Sequence, residues 1–451
     1  MLYRKISRLI ADHLRTQDPR ILLVDGARQV GKTYIIRYVG KELFENFIEV
    51  NMVEDSLGER LFAQTRAVED FYLQLSMLHG DKMKEKQNTL VFLDEIQEYP
   101  QLLTLLKFLA QDGRFTYIAS GSLLGVTLAQ TTSIPMGSIR KVRMYPLDLE
   151  EFLLANGLNE MAIAALRAKF QARQTLDEAM HNKMMDLFRK YLLVGGLPDA
   201  VNAFLQSRNI QRVREVQREI HDYYAADASK YDAGRKLKIR RIYDLIPSNM
   251  ENKKKRVVAQ QIENKRGKTF GDYQDEFEYL ISAGIALNVQ AVSNPHFPLA
   301  ETEGKNLLKL YLNDVGILSA LLYGNNIRAI LEDVRSINLG SVYETVVASE
   351  LAAHGYKLFY YDNRTKGEVD YLIDDYNSLS VVPIEVKSGK DYTVHSALNH
   401  FVNNAEYHIQ TAFVLSNARE ITAKGKIIYL PIYDIMFFEN QPAEENTYLI
   451  P

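Results

Sequence analysis

The chain contains neither cysteine nor tryptophan. Without cysteine there is no disulfide, no zinc–thiolate site, no cysteine-ligated iron–sulfur cluster and no cysteine nucleophile; a reducing compartment is allowed but not required. Aromatic cores fall instead to 27 Tyr and 19 Phe. A charge excess is missing too: 54 Lys and Arg face 57 Asp and Glu, a net −3. That excludes a chain basic overall, though not a local basic patch. Long apolar runs are also absent. Met1–Arg20 carries a helical apolar period at Leu2, Ile6, Leu9, Ile10 and Leu14, but Arg4, Lys5, Arg8, Asp12 and Arg15 interrupt it, so it is no secretory signal. The uncharged runs Phe115–Ile139 and Leu280–Ala300 are broken by Ser, Gly, Gln, Asn and Pro and are too polar to span a bilayer. The expectation is a soluble, cytoplasmic protein with no membrane partner. Its 451 residues, 47% hydrophobic and 25% charged, have room for several domains.

Up to about Phe152, short apolar runs alternate with amphipathic segments. Ile21–Val24, Phe47–Val50, Leu90–Leu93 and Phe115–Ala119 read as mostly buried strands, and Thr33–Val39 and Leu102–Ala110 as helices. Strand alternating with helix predicts a parallel sheet covered on both faces. From Glu150 to about Ala228 the pattern is helical, with a break at Gly195-Gly196-Leu197-Pro198. Ile239–Ile246, Val257–Ile262 and Phe270–Ser282 read as three short helices and Ile285–Val289 as a strand, the outline of a winged helix. Beyond about Asn338 a second α/β unit follows: a helix over Ser341–His354 and strands at Leu358–Tyr360, Val369–Ile373, Val381–Val386 and Ala412–Leu415.

The first chemical motif is Gly26-Ala27-Arg28-Gln29-Val30-Gly31-Lys32-Thr33, which fits G-x-x-x-x-G-K-[ST]. The glycines let the backbone curl so that its N–H groups face phosphate oxygens. Lys32 offers a point charge to the β- and γ-phosphates of ATP. Thr33 offers a hydroxyl to Mg²⁺ and opens a helix whose positive end faces the anion. The second motif is the strand Leu90–Leu93 ending in Asp94-Glu95. Asp94 then lies at the carboxyl edge of the sheet, where it can hold Mg²⁺, and Glu95 can orient or deprotonate the attacking water. Ser120-Gly121-Ser122 ends a further strand. If that strand lies beside the Asp94 strand, Ser120 or Ser122 can reach the γ-phosphate or the water; a plain Ser-Gly turn is the alternative. Arg140 is a candidate nucleotide-contacting arginine, in its own subunit or in a neighbour of a homo-oligomer.

In order along the chain these motifs resemble the prokaryotic AAA-type ATPases that carry a C-terminal domain of unknown function. The similarity runs through Leu93-Asp94-Glu95-Ile96-Gln97, Ser120-Gly121-Ser122, Tyr145-Pro146-Leu147 with Glu151-Phe152, Gly195-Gly196-Leu197-Pro198 and Lys309–Gly316. Ala27 stands where the family often has Pro; backbone N–H groups do the cradling, so this changes little. The resemblance implies an ATPase core at 1–150, a helical lid at 151–233, a winged-helix-like domain at 234–300, a connecting segment at 301–337 and a restriction-endonuclease-like domain at 338–451.

That last domain has its own constellation. Strand periodicity puts Glu368 and Asp370 on one face, and Glu385 and Lys387 on one face. The turn signal Asp374–Ser378 lets the two strands pair as a hairpin. Asp370 and Glu385 can then converge on Mg²⁺ or Mn²⁺, with Lys387 beside an attacked phosphate. Glu344, on a helix face shared with Val347 and Leu351, can join them. The set is similar to a PD-(D/E)xK nuclease core, with Val369 in the place of the Pro. Such cores also persist as inactive scaffolds. Two outputs stay open: an ATP-gated nuclease acting on DNA or RNA, or a nucleotide-switched module that docks a protein partner.

Between Arg235 and Lys268, twelve basic residues face three acidic ones, an excess of nine that could neutralise nucleic-acid phosphates. The next predicted helix carries Asp272, Asp275, Glu276 and Glu278. An acidic helix is repelled from a major groove, so backbone contact or protein docking is favoured over sequence reading, with a merely solvated basic face as the alternative.

Overall fold

Strands that are buried on both faces need apolar residues at every position, and Ile21–Asp25 (β1) and Thr89–Asp94 (β3) are buried along their whole length. They belong to one parallel sheet in the computed structural model, which describes residues 2–16, 18–122, 124, 137–227, 236–252, 255–302, 304–332, 339–389 and 391–440. The other strands are Asn46–Asn51 (β2), Thr116–Gly121 (β4) and Ile139–Arg143 (β5), in the spatial order β2-β3-β4-β1-β5. Helices Ile6–Arg15 (α1), Lys32–Leu43 (α2), Met52–Leu57 (α3), Val68–His79 (α4) and Pro100–Asp112 (α5) accompany them. Leu23, Ile48, Val91 and Leu93 from the strands pack with Phe62, Phe71, Leu102 and Leu106 into one core. This unit comprises Met1–Tyr145 and Ser282–Ile285. The strand order sets β4 between β1 and β3, which brings Ser120 beside Asp94.

The second unit, Pro146–Ile281 with Ala286–Pro451, begins with helices: Leu149–Ala155 (α6), Glu160–Gln171 (α7), Glu178–Val194 (α8), Pro198–Ser207 (α9) and Ile210–Asp227 (α10). Lys236–Glu251 (α11), Ala259–Glu263 (α12) and Gln274–Ser282 (α13) come next. The strand after them, Ala286–Val292 (β6), pairs antiparallel with Gly304–Leu312 (β7) and parallel with Phe359–Asn363 (β8). The three helices and the strand therefore follow in the expected order, but the strand is part of a larger sheet. Helices Val315–Tyr323 (α14), Arg328–Leu331 (α15) and Gly340–Ala353 (α16) precede β8. The chain ends in Gly367–Asp375 (β9), Ser380–Val386 (β10), Ser396–Val402 (α17), Ala412–Ser416 (β11), Thr422–Lys424 (β12) and Ile427–Pro431 (β13). The sheet order is β12-β13-β11-β10-β9-β8-β6-β7. The stretch 301–337, expected to be a connecting segment, thus supplies an edge strand and a buried helix. Lys309 interrupts the apolar run of β7 and hides it from periodicity, although its own side chain is fully buried.

The Gly195-Gly196 break has a steric cause. Gly195 has φ +71, and a Cβ there would lie 2.3 Å from the Asp314 carboxylate; one on Gly196 would lie 2.0 Å from the Leu147 carbonyl. Gly196 N donates to Asp314 Oδ2 at 2.6 Å, and Leu147 N donates to Gly196 O at 2.7 Å. Three separate sequence motifs thus meet at one buried junction. Among the described residues no helix is long and apolar enough to cross a membrane.

Candidate functional site

The loop between β1 and α2 is wound by three residues with positive φ: Gly26 at 153°, Gln29 at 64° and Gly31 at 94°. A side chain at Gly26 would lie 2.3 Å from Met144 O, so only glycine fits. A curl of this kind lets backbone N–H groups face a phosphate at the start of a helix. Lys32 is buried, and its ammonium donates to the carbonyls of Gly26 at 3.0 Å and Ala27 at 2.8 Å. Burial lowers its pKa, while Glu95, Asp25 and Asp94 pull the other way.

Thr33 Oγ1 donates to Asp94 Oδ2 at 2.8 Å, and Ser120 donates to the other Asp94 oxygen. Burial raises the Asp94 carboxyl, although these two hydroxyls counteract it. Glu95 has φ +53, a turn that costs a non-glycine residue roughly 1 kcal/mol or more. Its carboxylate accepts from Gln97 and, at 3.1 Å, from Ser122. Burial would raise Glu95, but Lys32, Gln97, Arg28 and Ser122 outweigh it and hold its pKa below the ordinary value. Arg28 Nε donates to Ser122 Oγ at 3.1 Å. Of the two candidate serines, Ser120 therefore serves Asp94 and Ser122 serves Glu95.

A hydroxyl and a carboxylate in contact beside a buried lysine form a donor set that suits Mg²⁺ with a triphosphate. Lys32, Thr33, Asp94, Glu95 and Ser120 are thus brought together. Arg140 is not with them. It lies on β5 opposite Leu22, three residues before the carboxyl end of β1, and its charge depresses the His13 pKa after burial and Asp18 have acted. Arg143 takes the place at the edge, pairing with the buried Asp25 at 3.0 Å.

Arg4 and Gly284 carry no sequence signal, and Gln97 stands in the motif after Asp94-Glu95 without a role assigned from sequence. Arg4 is buried and donates to Val30 O at 2.8 Å and Tyr145 O at 2.6 Å, fixing the phosphate loop from beneath. Gln97 restrains Glu95. Gly284, at φ +74, lies against Ala27, where a Cβ would approach the Ala27 nitrogen to 3.2 Å. Arg143 also donates to Ser282 O at 3.0 Å.

The second constellation lies on α16, β9 and β10. Ile384 pairs with Tyr371 in the antiparallel hairpin, so the next step of the register sets Glu385 opposite Asp370 on one face. Val386 N donates to Asp370 Oδ2 at 2.8 Å. Lys387 pairs with Glu385 Oε1 at 2.7 Å. Glu344 accepts from Tyr311 at 3.0 Å and is paired with Lys255. The fully buried Lys309 lies 2.6 Å from Glu368 and 4.5 Å from the centre of the Tyr360 ring. Burial, then the charges of Glu385 and Glu344, push the Asp370 pKa well above the carboxylate range. Burial likewise raises Glu385. Glu344 is held low because Lys255 and Lys309 outweigh its burial.

The expected carboxylates therefore converge, but the cations among them are lysines. Among the described residues no group of three or more His, Asp or Glu side chains is arranged to hold a metal ion. The metal expected at Glu344, Asp370 and Glu385 does not fit this arrangement. The basic segment is also less open than its sequence suggests. Lys255 and Arg256 turn inward, Lys265 pairs with Glu263 and Lys268 with Asp272, while Arg235, Lys253 and Lys254 lie outside the described residues.

The parallel sheet and this loop are typical of the P-loop NTPase fold, and comparison with known families agrees. Residues 18–153 match the AAA domain family. Residues 185–328 and 339–435 match two domains of unknown function, DUF8612 and DUF4143. No curated protein matches. Similar solved structures include the Walker-type ATPase PABY2304 of Pyrococcus abyssi, at 14% identity and a TM-score of 0.42, covering 71% of this chain and 96% of that one. Another is the Aeropyrum pernix ORC1 protein in complex with DNA, at 16% identity and a TM-score of 0.29, covering 70% and 90%.

Proposed function

We propose that the protein is a Mg²⁺-dependent ATPase whose nucleotide state repositions its second unit. The contact between Thr33 and Asp94, with Lys32 and Glu95 alongside, carries this reading. Thr33 and Asp94 would hold Mg²⁺, which neutralises phosphate charge when bound. Lys32 exchanges its two carbonyl partners for phosphate oxygens. Glu95, kept ionised by its neighbours, orients the attacking water and accepts its proton. Its release from Gln97 and Ser122 completes the site.

Ser282–Ile285 belongs to the same unit as the phosphate loop. Gly284 rests on Ala27, and the chain continues directly into β6. The likeness of Glu344, Asp370, Glu385 and Lys387 to a nuclease core supports a restriction-endonuclease-like fold for the C-terminal part. The lysine partners of these carboxylates favour a nucleotide-switched binding module over an enzyme that cuts DNA or RNA in this arrangement.

Glu95→Gln tests the ATPase assignment. The variant should bind Mg²⁺–ATP within about threefold of wild type in an equilibrium assay, while phosphate release falls at least ~100-fold. Undiminished turnover would remove Glu95 from the reaction.

A further inference from the structure

The turn between β9 and β10, the end of α7 and the chain beyond β13 line a cavity of about 190 Å³. Four of its rings form a continuous group: Phe170 lies 5.4 Å from Phe437 and 5.9 Å from Phe438, and Phe438 lies 4.9 Å from Phe413, centre to centre. Tyr356 and Tyr376 also line it, as do the carboxylates of Asp374, Asp375 and Glu439. Among the described residues no basic side chain does so. Asp374 accepts from Leu299 N at 2.9 Å, and Asp375 accepts from Asn377 N at 3.0 Å and from the Ser378 hydroxyl at 2.5 Å. These donors are neutral, and among the described residues no cation pairs with either carboxylate. Burial, then the charges of Asp375 and Glu439, push the Tyr356 hydroxyl to about 12, so both carboxylates stand within electrostatic reach of that ring.

One cation of the chain itself shows what such a wall accepts. The Arg167 guanidinium lies 4.9 Å from the centre of the Phe437 ring and pairs with Glu439 at 2.8 Å. Ring and carboxylate act there as a joint receptor for a planar cation. Asp375, Tyr356 and Tyr376 repeat that combination of groups in the same cavity with no cation among them. Tyr376 is 61% exposed, so the cavity is reachable from solvent on its side.

We propose that this cavity receives an arginine side chain from a protein partner, its guanidinium stacked on the rings and paired with Asp375. This deepens the binding-module reading given above. The lining selects the charge: aromatic faces and carboxylates attract a cation and repel a phosphate. The size selects the source. Pockets for small molecules begin near ~300 Å³, so this one suits a single side chain carried on a peptide. Lysine fits less well, because its compact and strongly hydrated ammonium does not stack as a planar guanidinium does.

The test is binding of the single-arginine peptide acetyl-Gly-Arg-Gly-amide to the nucleotide-free full chain, read by saturation-transfer NMR. Matched peptides carry citrulline, which is planar but uncharged, or lysine in place of the arginine. The arginine peptide should bind at least ~10-fold tighter than the citrulline peptide and about threefold tighter than the lysine peptide. Tyr376→Ala, at an exposed position, and Asp375→Asn, which keeps the shape of the side chain, should each weaken it at least ~5-fold. In the unsubstituted protein the arginine peptide should slow nitration of Tyr376 by tetranitromethane, read by mass spectrometry, and the citrulline peptide should not. Equal affinity for the arginine and citrulline peptides, binding that both variants leave intact, or nitration indifferent to the arginine peptide overturns the proposal. Free guanidinium binding as tightly as the peptide also overturns it, because the cavity would then serve a small organic cation. ATP turnover enters none of these measurements, so their failure leaves the ATPase assignment untouched.

Discussion

Single residues in this protein are set by what surrounds them more than by what they are. Asp94 and Glu95 are neighbours in sequence, yet burial raises one carboxyl while Lys32 and Gln97 help hold the other down. The residue types at both positions were legible from the strand and its acidic end. The left-handed turn that swings Glu95 toward Gln97 was not, because only tertiary contacts select it. Arg4 was equally hidden: in the sequence it is one more charge on an amphipathic helix. Asp434 shows the same principle with a measurable consequence. It is buried, and desolvation raises its pKa to about 7. A carboxyl whose folded pKa is raised contributes stability below its unfolded pKa, and that contribution is lost as pH rises through the folded value. Asp434→Asn removes the titration. Relative to wild type, the variant should gain about 4 kcal/mol of unfolding free energy between pH 4 and pH 8, measured by denaturant titration. A difference that does not change with pH would contradict the burial assigned to this group.

Elements were read well where apolar period and punctuation agreed. The strands carrying Asp94, Asp370 and Glu385 and the helix carrying Glu344 stand where their patterns put them. β7 was missed because Lys309 reads as a solvent-facing charge, whereas Glu368 and the Tyr360 ring accommodate it inside. The break after α8 was plain from its glycines, but its keeper was not. Arg214 is fully buried on α10 and donates to the carbonyls of Leu193, Gly316 and Gly324, with Gln217 bonding Leu193 and Val194. It thereby satisfies the Leu193 and Gly324 carbonyls at the C-terminal ends of α8 and α14. Burial lowers its pKa to about 10, so it stays charged at neutral pH. Arg214→Met should cost about 3 kcal/mol or more in thermal or denaturant unfolding, far beyond a surface change. A loss below about 0.5 kcal/mol would mean that these carbonyls find other partners.

For the whole molecule, net charge proved a poor guide to partners. A value of −3 averages over a basic stretch, an acidic helix and a carboxylate cluster, and the fold brings Lys255 and Arg256 of the first into the last. What was most legible is the geometry of the candidate nucleotide site, because each residue type in a phosphate loop has a task that fixes its spacing. Least legible was the state of the C-terminal cluster, because the cation paired with Glu344 is Lys255, far away in sequence. The account stands on ATP turnover at the first of these sites. Its most direct test is steady-state phosphate release by purified wild type and Lys32→Ala, with Mg²⁺ and with chelator. Wild type should turn over ATP only with Mg²⁺, and Lys32→Ala should fall at least ~100-fold, to background. Undiminished turnover in Lys32→Ala would contradict the assignment.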